Sequence, residues 1–218
     1  MKNINRLLLS LLLAFGFSVS TVIAQNDTMY VMKNGVVINK QSVKTSDVDS
    51  IVFYKQPTAP ILTVGEAYQG GKIAYILQVG DPGYDANVVH GLIAAPTDQQ
   101  LIRWHNGTTK ITGATGKAIG TGNANTEKIV MSQGLGSYAA KLCSDLVLGG
   151  YSDWYLPSKD ELNKLYVNRV AIGGFSTYFY WSSTEIDDCG AYCNIFSTAS
   201  EFNNGKGVES KVRAVRSF

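Results

Sequence analysis

The stretch 149-GGYSDWYLPSKDELNKLY-166 packs a tryptophan, three tyrosines, a proline and a cluster of charges into eighteen residues. Its reading decides the fold. Ser158 followed three residues later by Glu161 is a capping box: the hydroxyl accepts from the Glu161 amide, and the carboxylate reaches back to the Ser158 amide. Asp160 and Glu161 fall in the first turn, where the helix dipole favours negative charge. Pro157 stands at the staple position against Leu162, and Leu162, Leu165 and Tyr166 make an apolar stripe at helical spacing. Gly173-Gly174 supplies a stop. Trp154 and Leu156 are then buried residues on an extended lead-in. Every residue type here has a local structural role, so the stretch specifies a fold rather than chemistry.

On either side of this helix the pattern changes. "KIAYILQV" (Lys72 to Val79) and "HGLIAAP" (His90 to Pro96) read as strands around a turn, and "TGATGKAIGTGNAN" (Thr112 to Asn125) as a long loop. A helix is expected from Asn125 or Thr126, and a second over about Ser137 to Leu146. Strands return at "YFYWSS" (Tyr178 to Ser183), "YCNIFST" (Tyr192 to Thr198) and "KVRAVRSF" (Lys211 to Phe218). Strands, helices and strands again predict an α+β domain over 61–218. Residues 25–55 read as a small β unit. Met29 to Lys33 and Val36 to Lys40 flank the hairpin dipeptide Asn34-Gly35, and "DVDSIVFY" (Asp47 to Tyr54) leads into a third strand. Residues 56–60 form a proline-bearing linker.

Residues 1–24 read as an export signal: Lys2 and Arg6, an apolar run from Leu7 to Phe17, then Val22-Ile23-Ala24 before a mature start near Gln25. No later segment is apolar enough to cross a bilayer. The chain has 19 basic and 17 acidic residues, and loss of Lys2 and Arg6 leaves 17 of each. A neutral mature chain has no electrostatic footprint for nucleic acid. Export permits disulfides. Of Cys143, Cys189 and Cys193, the last two lie close in sequence and are the expected pair, with Cys143 a small buried side chain on a helix.

"GGYSDWYLPSKDEL", with "YWSSTE" downstream and "VRAVRSF" at the end, resembles the Lcl C-terminal domain family, which is similar to the Fib-succ major paralogous domain. The resemblance covers roughly residues 61–218. It implies a C-type-lectin-like fold in an exported protein and, for the adhesin that names the family, binding of sulfated polysaccharides. "DVDSIVFY" resembles a short leader that precedes diverse bacterial surface domains. "LPSKDEL" is also similar to a segment of formylglycine-generating enzymes, which share the lectin-like architecture. That likeness would make Cys189 and Cys193 copper ligands.

Signals for catalysis are sparse. His90 and His105 lack a second ligand at metal spacing, no G-x-S-x-G elbow occurs, and "GATGKA" (Gly113 to Ala118) lacks the residues of a phosphate loop. The acidic segment "STEIDDCGAYC" (Ser183 to Cys193) offers Glu185, Asp187 and Asp188 as hard oxygen ligands, so calcium is the one cofactor that the residues suggest. Trp104-His105-Asn106 and Tyr178 to Trp181 place flat apolar faces beside amides, the combination that a pyranose needs. Trp104, Asn106, Trp181 and Glu185 are therefore the expected ligand contacts, with no catalytic residues. The sequence points to an exported, non-enzymatic binding or adhesion module that recognises glycans. It would be secreted, or sit at the surface or in the periplasm of a Gram-negative bacterium. The alternatives are a structural surface subunit with a protein partner, and a formylglycine-generating-enzyme-like oxidase.

Overall fold

The computed structural model describes residues 21–25, 28–33, 36–42, 61–198 and 200–218. The chain divides into two compact units, Met1–Ala59 and Pro60–Phe218. In the first, β1 (Thr21–Gln25), β2 (Thr28–Lys33) and β3 (Val36–Ser42) form an antiparallel sheet in sequence order. The expected β2–β3 hairpin is present, with a register shift between Val31 and Met32. The Asn34-Gly35 turn, the 47–54 strand and the 56–60 linker lie outside the described residues. β1 was not expected as a strand. It pairs from Thr21 opposite Met32 to Gln25 opposite Thr28, so cleavage after Ala24 would remove all of it but Gln25.

The second unit is α+β. Its strands β4 (Ala67–Tyr68), β5 (Gly71–Ile76) and β6 (Gly91–Ala94) precede four helices: α1 (Gly122–Gln133), α2 (Ala139–Ser144), α3 (Lys159–Val167) and α4 (Arg169–Ile172). β7 (Phe179–Glu185), β8 (Gly190–Ile195), β9 (Ser200–Gly205) and β10 (Val215–Ser217) follow. The strands make two antiparallel sheets, ordered β10-β6-β5-β4 and β7-β8-β9. β10 enters the sheet of this unit's early strands by pairing Val215 with Ala94 and Ser217 with Leu92. Among the described residues no helix is long and apolar enough to cross a membrane.

The stretch around Trp154 shows how the two sheets share two cores. Side chains alternate along extended backbone. Trp154 and Leu156 enter one core with Ile93, Trp104, Ile129, Trp181 and Val212. Tyr155 turns the other way, into a second core with Leu92, Leu162, Leu165, Tyr180 and Val215. β6 and β7 alternate in the same manner, so both are covered on both faces. The capping box forms as the sequence requires: Ser158 Oγ accepts from the Glu161 amide, and Glu161 Oε2 accepts from the Ser158 amide at 2.7 Å. Gly122, at the start of α1, lies against this cap; a Cβ there would stand 2.2 Å from Glu161 Oε2. α4 stops at Gly173, whose φ is +74°, a conformation open to glycine.

Element boundaries depart from expectation in two places. α1 begins at Gly122, three or four residues before the expected start, because Gly122 packs against the α3 cap. The acidic segment Ser183 to Cys193 is mostly strand. β7 continues through Glu185 and β8 resumes at Gly190, leaving a four-residue turn. β9 was not expected; its sequence, SEFNNG, is too polar to show a strand period.

Candidate functional site

The expected site residues do not converge on a surface. Trp104 and Trp181 have no solvent exposure. Each indole N–H is taken by a backbone carbonyl, Trp104 on Ser182 at 2.9 Å and Trp181 on Ile102 at 3.0 Å. Neither ring can stack on a sugar, which corrects their assignment as ligand contacts. Asn106 is exposed, but its amide nitrogen donates to the Gln133 carbonyl at 2.5 Å and its oxygen accepts from the Thr108 amide. It holds a turn.

Glu185 faces inward. Its carboxylate meets Lys206 Nζ at 2.6 Å and also accepts from the Thr112 and Gly113 amides at 2.8 Å. Lys206 is fully buried, donates to the Lys110 carbonyl, and lies 4.5 Å from the Trp104 ring centre. Burial pushes the Glu185 carboxyl up. The Lys206 ammonium and the two amides outweigh burial and hold it below the usual carboxylate range. With its lone pairs occupied, Glu185 is no cation ligand. Asp187 Oδ1 accepts from the Cys189 and Gly190 amides and closes the β7–β8 turn. Among the described residues no three of His, Cys, Asp and Glu stand together as a metal site, so Glu185, Asp187 and Asp188 do not form the expected calcium set.

The expected disulfide is also corrected. Cys189 is exposed, Cys193 is buried in β8, and both are free. Four residues of extended chain separate their Cα atoms by roughly 13 Å, about twice the span that a disulfide bridges. The Asp188 carboxylate raises the Cys189 thiol above its usual value, and burial pushes Cys193 up to about 12. Neither is poised as a thiolate metal ligand.

The motifs that suggested a family tie the fold together. Arg213 is fully buried and grips Asp98 at 2.6 Å, while Tyr180 donates to the other Asp98 oxygen at 2.7 Å. Arg216 forks onto Asp153. Ser183 N–H donates to the Pro157 carbonyl at 2.7 Å, joining "YWSSTE" to "DWYLPS". Glu161 is buried with neutral partners: the Gly120 and Ser158 amides, at 2.8 and 2.7 Å, and the Tyr155 hydroxyl at 3.3 Å. Burial raises its carboxyl pKa despite these donors.

Among the described residues, a strand edge remains open. In the larger unit, β7 is covered on its outer side by Lys211, Pro157 and Ala114, through hydrogen bonds of 2.7–3.0 Å. β10 is covered by Tyr155, and β4 is two residues long. β9 has β8 on one side and no described strand on the other. The β8–β9 register alternates, and the Lys206 amide bonds Cys189. Together these turn the N–H and C=O of Glu201 and Asn203 outward. Beside them lie Phe202, 47% exposed, and Tyr178, 48% exposed, linked through Phe179 by ring contacts of 6.2 and 5.8 Å. Of the Tyr178 to Trp181 cluster, only the first ring reaches solvent freely. Phe202 was missed because β9 carries no strand period.

No family model matches the chain, and no curated protein matches it. Among solved structures, a fimbrial protein from Bacteroides ovatus is similar, with 16% identity and a TM-score of 0.46 over 66% of this chain. This chain spans 43% of that protein's length, and a likeness at this level decides neither fold nor role.

Proposed function

We propose that the chain is an exported, non-enzymatic surface subunit, C-type-lectin-like in its 61–218 part, that engages a protein partner by adding a strand to β9. The observation that supports this reading is the open β9 edge beside Phe202 and Tyr178. An added strand gains backbone hydrogen bonds at Glu201 and Asn203 and sets an apolar side chain against Phe202, the usual division between affinity and specificity in strand addition. Natural sheets blunt free edges with lysine, proline or a bulge. β9 has neither lysine nor proline, and its one charged residue, Glu201, is tied to Lys159 at 2.8 Å. The glycan reading is weaker because both expected stacking tryptophans are buried.

The test is a photo-cross-linking residue at position 202 in the producing cell, with position 135 as a control, since Leu135 is 92% exposed and far from any strand in sequence. A discrete protein adduct from 202 alone supports the proposal. Equal labelling from both positions, or adducts only with polysaccharide, counts against it.

A further inference from the structure

We propose that a cleft at the end of β10, separate from the β9 edge, is a binding site for a protonated amine with a small apolar body. The cleft encloses about 240 Å³ between the loop after β5, the start of β6 and the end of the chain. Its walls are apolar: Leu77, Pro82, Leu92, Ile119 and Phe218. Two polar side chains, His90 and Ser217, line it as well. Its volume is many times what one water needs, so a small organic ligand can enter.

The hydrogen bonds behind the cleft fix what its polar groups offer. Both Glu161 oxygens meet donors, Oε1 the Gly120 amide and the Tyr155 hydroxyl at 3.3 Å and Oε2 the Ser158 amide. A carboxylate only accepts, so the Tyr155 proton is directed at Oε1. Tyr155 Oη also lies 2.8 Å from Ser217 Oγ. With the Tyr155 proton committed, Ser217 must donate to Tyr155, and its lone pairs are left for the cleft. His90 Nδ1 lies 3.2 Å from the Phe218 carbonyl. A carbonyl only accepts, so Nδ1 holds a proton, and the tautomer that this contact selects has Nε2 as an acceptor. Both polar groups therefore accept, and the ligand must donate.

Charge points the same way. Among the described residues the ion pairs use Asp98, Asp145, Asp153, Asp160, Glu185 and Glu201, and none uses Glu161. Glu161 sits behind the cleft wall, where its carboxylate accepts from Gly120, itself a lining residue. A cation in the cleft complements this unpaired buried charge. An ammonium with three donors serves Ser217 and His90 together, while its apolar body covers Phe218 and Leu92.

The experiment titrates the ¹⁵N-labelled exported chain with phenethylamine, phenethyl alcohol and 3-phenylpropionate, following amide shifts by NMR. Phenethylamine should produce saturable shifts at Gly83, Gly91 and Gly120, with affinity at least about fivefold above the alcohol, and the carboxylate should produce none. Ser217→Ala should weaken the amine by roughly three- to tenfold, the loss of one charge-assisted hydrogen bond, and leave the alcohol within about twofold. Ser217 is exposed, so this change spares the core; His90→Gln provides a second variant. Absence of saturable shifts with the amine, equal binding of the carboxylate, or unchanged amine affinity in both variants would overturn the proposal.

Discussion

The guanidinium of Arg216 and the carboxylate of Asp153, 63 residues apart, meet as a two-pronged fork: Nε on Oδ1 at 2.7 Å and Nη2 on Oδ2 at 2.8 Å. Arg216 also donates to Gln69 at 2.7 Å and lies over the Tyr151 ring at 3.9 Å. One side chain thus joins the last strand, the lead-in to α3 and the β4–β5 turn. Lysine cannot reproduce a planar fork and a stacked face together. Arg216→Lys should lower stability by about 1.5–3 kcal/mol, read from urea unfolding. Asp153→Asn should cost less, because the Asp153 side chain is 56% exposed and solvent screens what it loses.

The Lys206–Glu185 pair should behave differently, because both side chains are buried. Lys206→Met strands a buried carboxylate and should cost about 3–5 kcal/mol. Adding Glu185→Gln removes that charge and keeps an oxygen for the Thr112 and Gly113 amides. The double variant should therefore be more stable than Lys206→Met alone. A double variant that sums both single losses would mean the two residues do not act as a pair.

The capping box was legible because its partners lie three residues apart, and the Trp154/Leu156 burial because both precede that cap in extended chain. The helix stop at Gly173 followed from composition. Other features were hidden by distance along the chain. Nothing local to Glu185 announces Lys206, or the amides of Thr112 and Gly113 more than seventy residues upstream. The aromatic clusters misled for a related reason. Trp104 and Trp181 each sit one residue from a polar side chain, so proximity in sequence suggested a mixed site. In the fold their indole N–H groups meet buried carbonyls instead. The cleft at His90 and Ser217 draws on four separated segments and has no sequence motif at all.

Two buried carboxylates titrate with opposite sign. Burial raises Glu161 in the folded state, so its carboxylate is ionised above that raised value and the burial penalty is relieved as pH falls through it. Glu185 is lowered, as is Asp153 through Arg216. Their stabilisation is present above the ordinary carboxylate values, about 4.3 for Glu and about 3.9 for Asp, and is lost as pH falls below them. Stability should rise from neutral pH toward mildly acid pH, then fall. Urea midpoints between pH 3 and 8 measure this. Glu161→Gln should abolish the rise and keep the fall. A wild-type profile that declines steadily from neutral pH would contradict the assignment.

Thiol labelling separates the three cysteines. Cys189 should react with iodoacetamide in the folded protein, slowly because Asp188 keeps it protonated. Cys143 and Cys193, both buried, should react only in denaturant, giving three free thiols without reduction. A mass lower by two hydrogens before reduction, with a Cys189–Cys193 peptide, would restore the disulfide.

The most direct test of strand addition at β9 is Asn203→Pro. The Asn203 N–H points away from β8, so proline removes no existing ladder bond and stays compatible with an edge strand. It does remove a donor that an incoming strand needs, and its ring obstructs the approach. The measurement is the yield of the position-202 cross-linked adduct in the producing cell, alongside the urea midpoint of the purified variant. The account predicts an unfolding free energy within about 1 kcal/mol of wild type and loss of the adduct. Full adduct yield from a folded Asn203→Pro protein would contradict it.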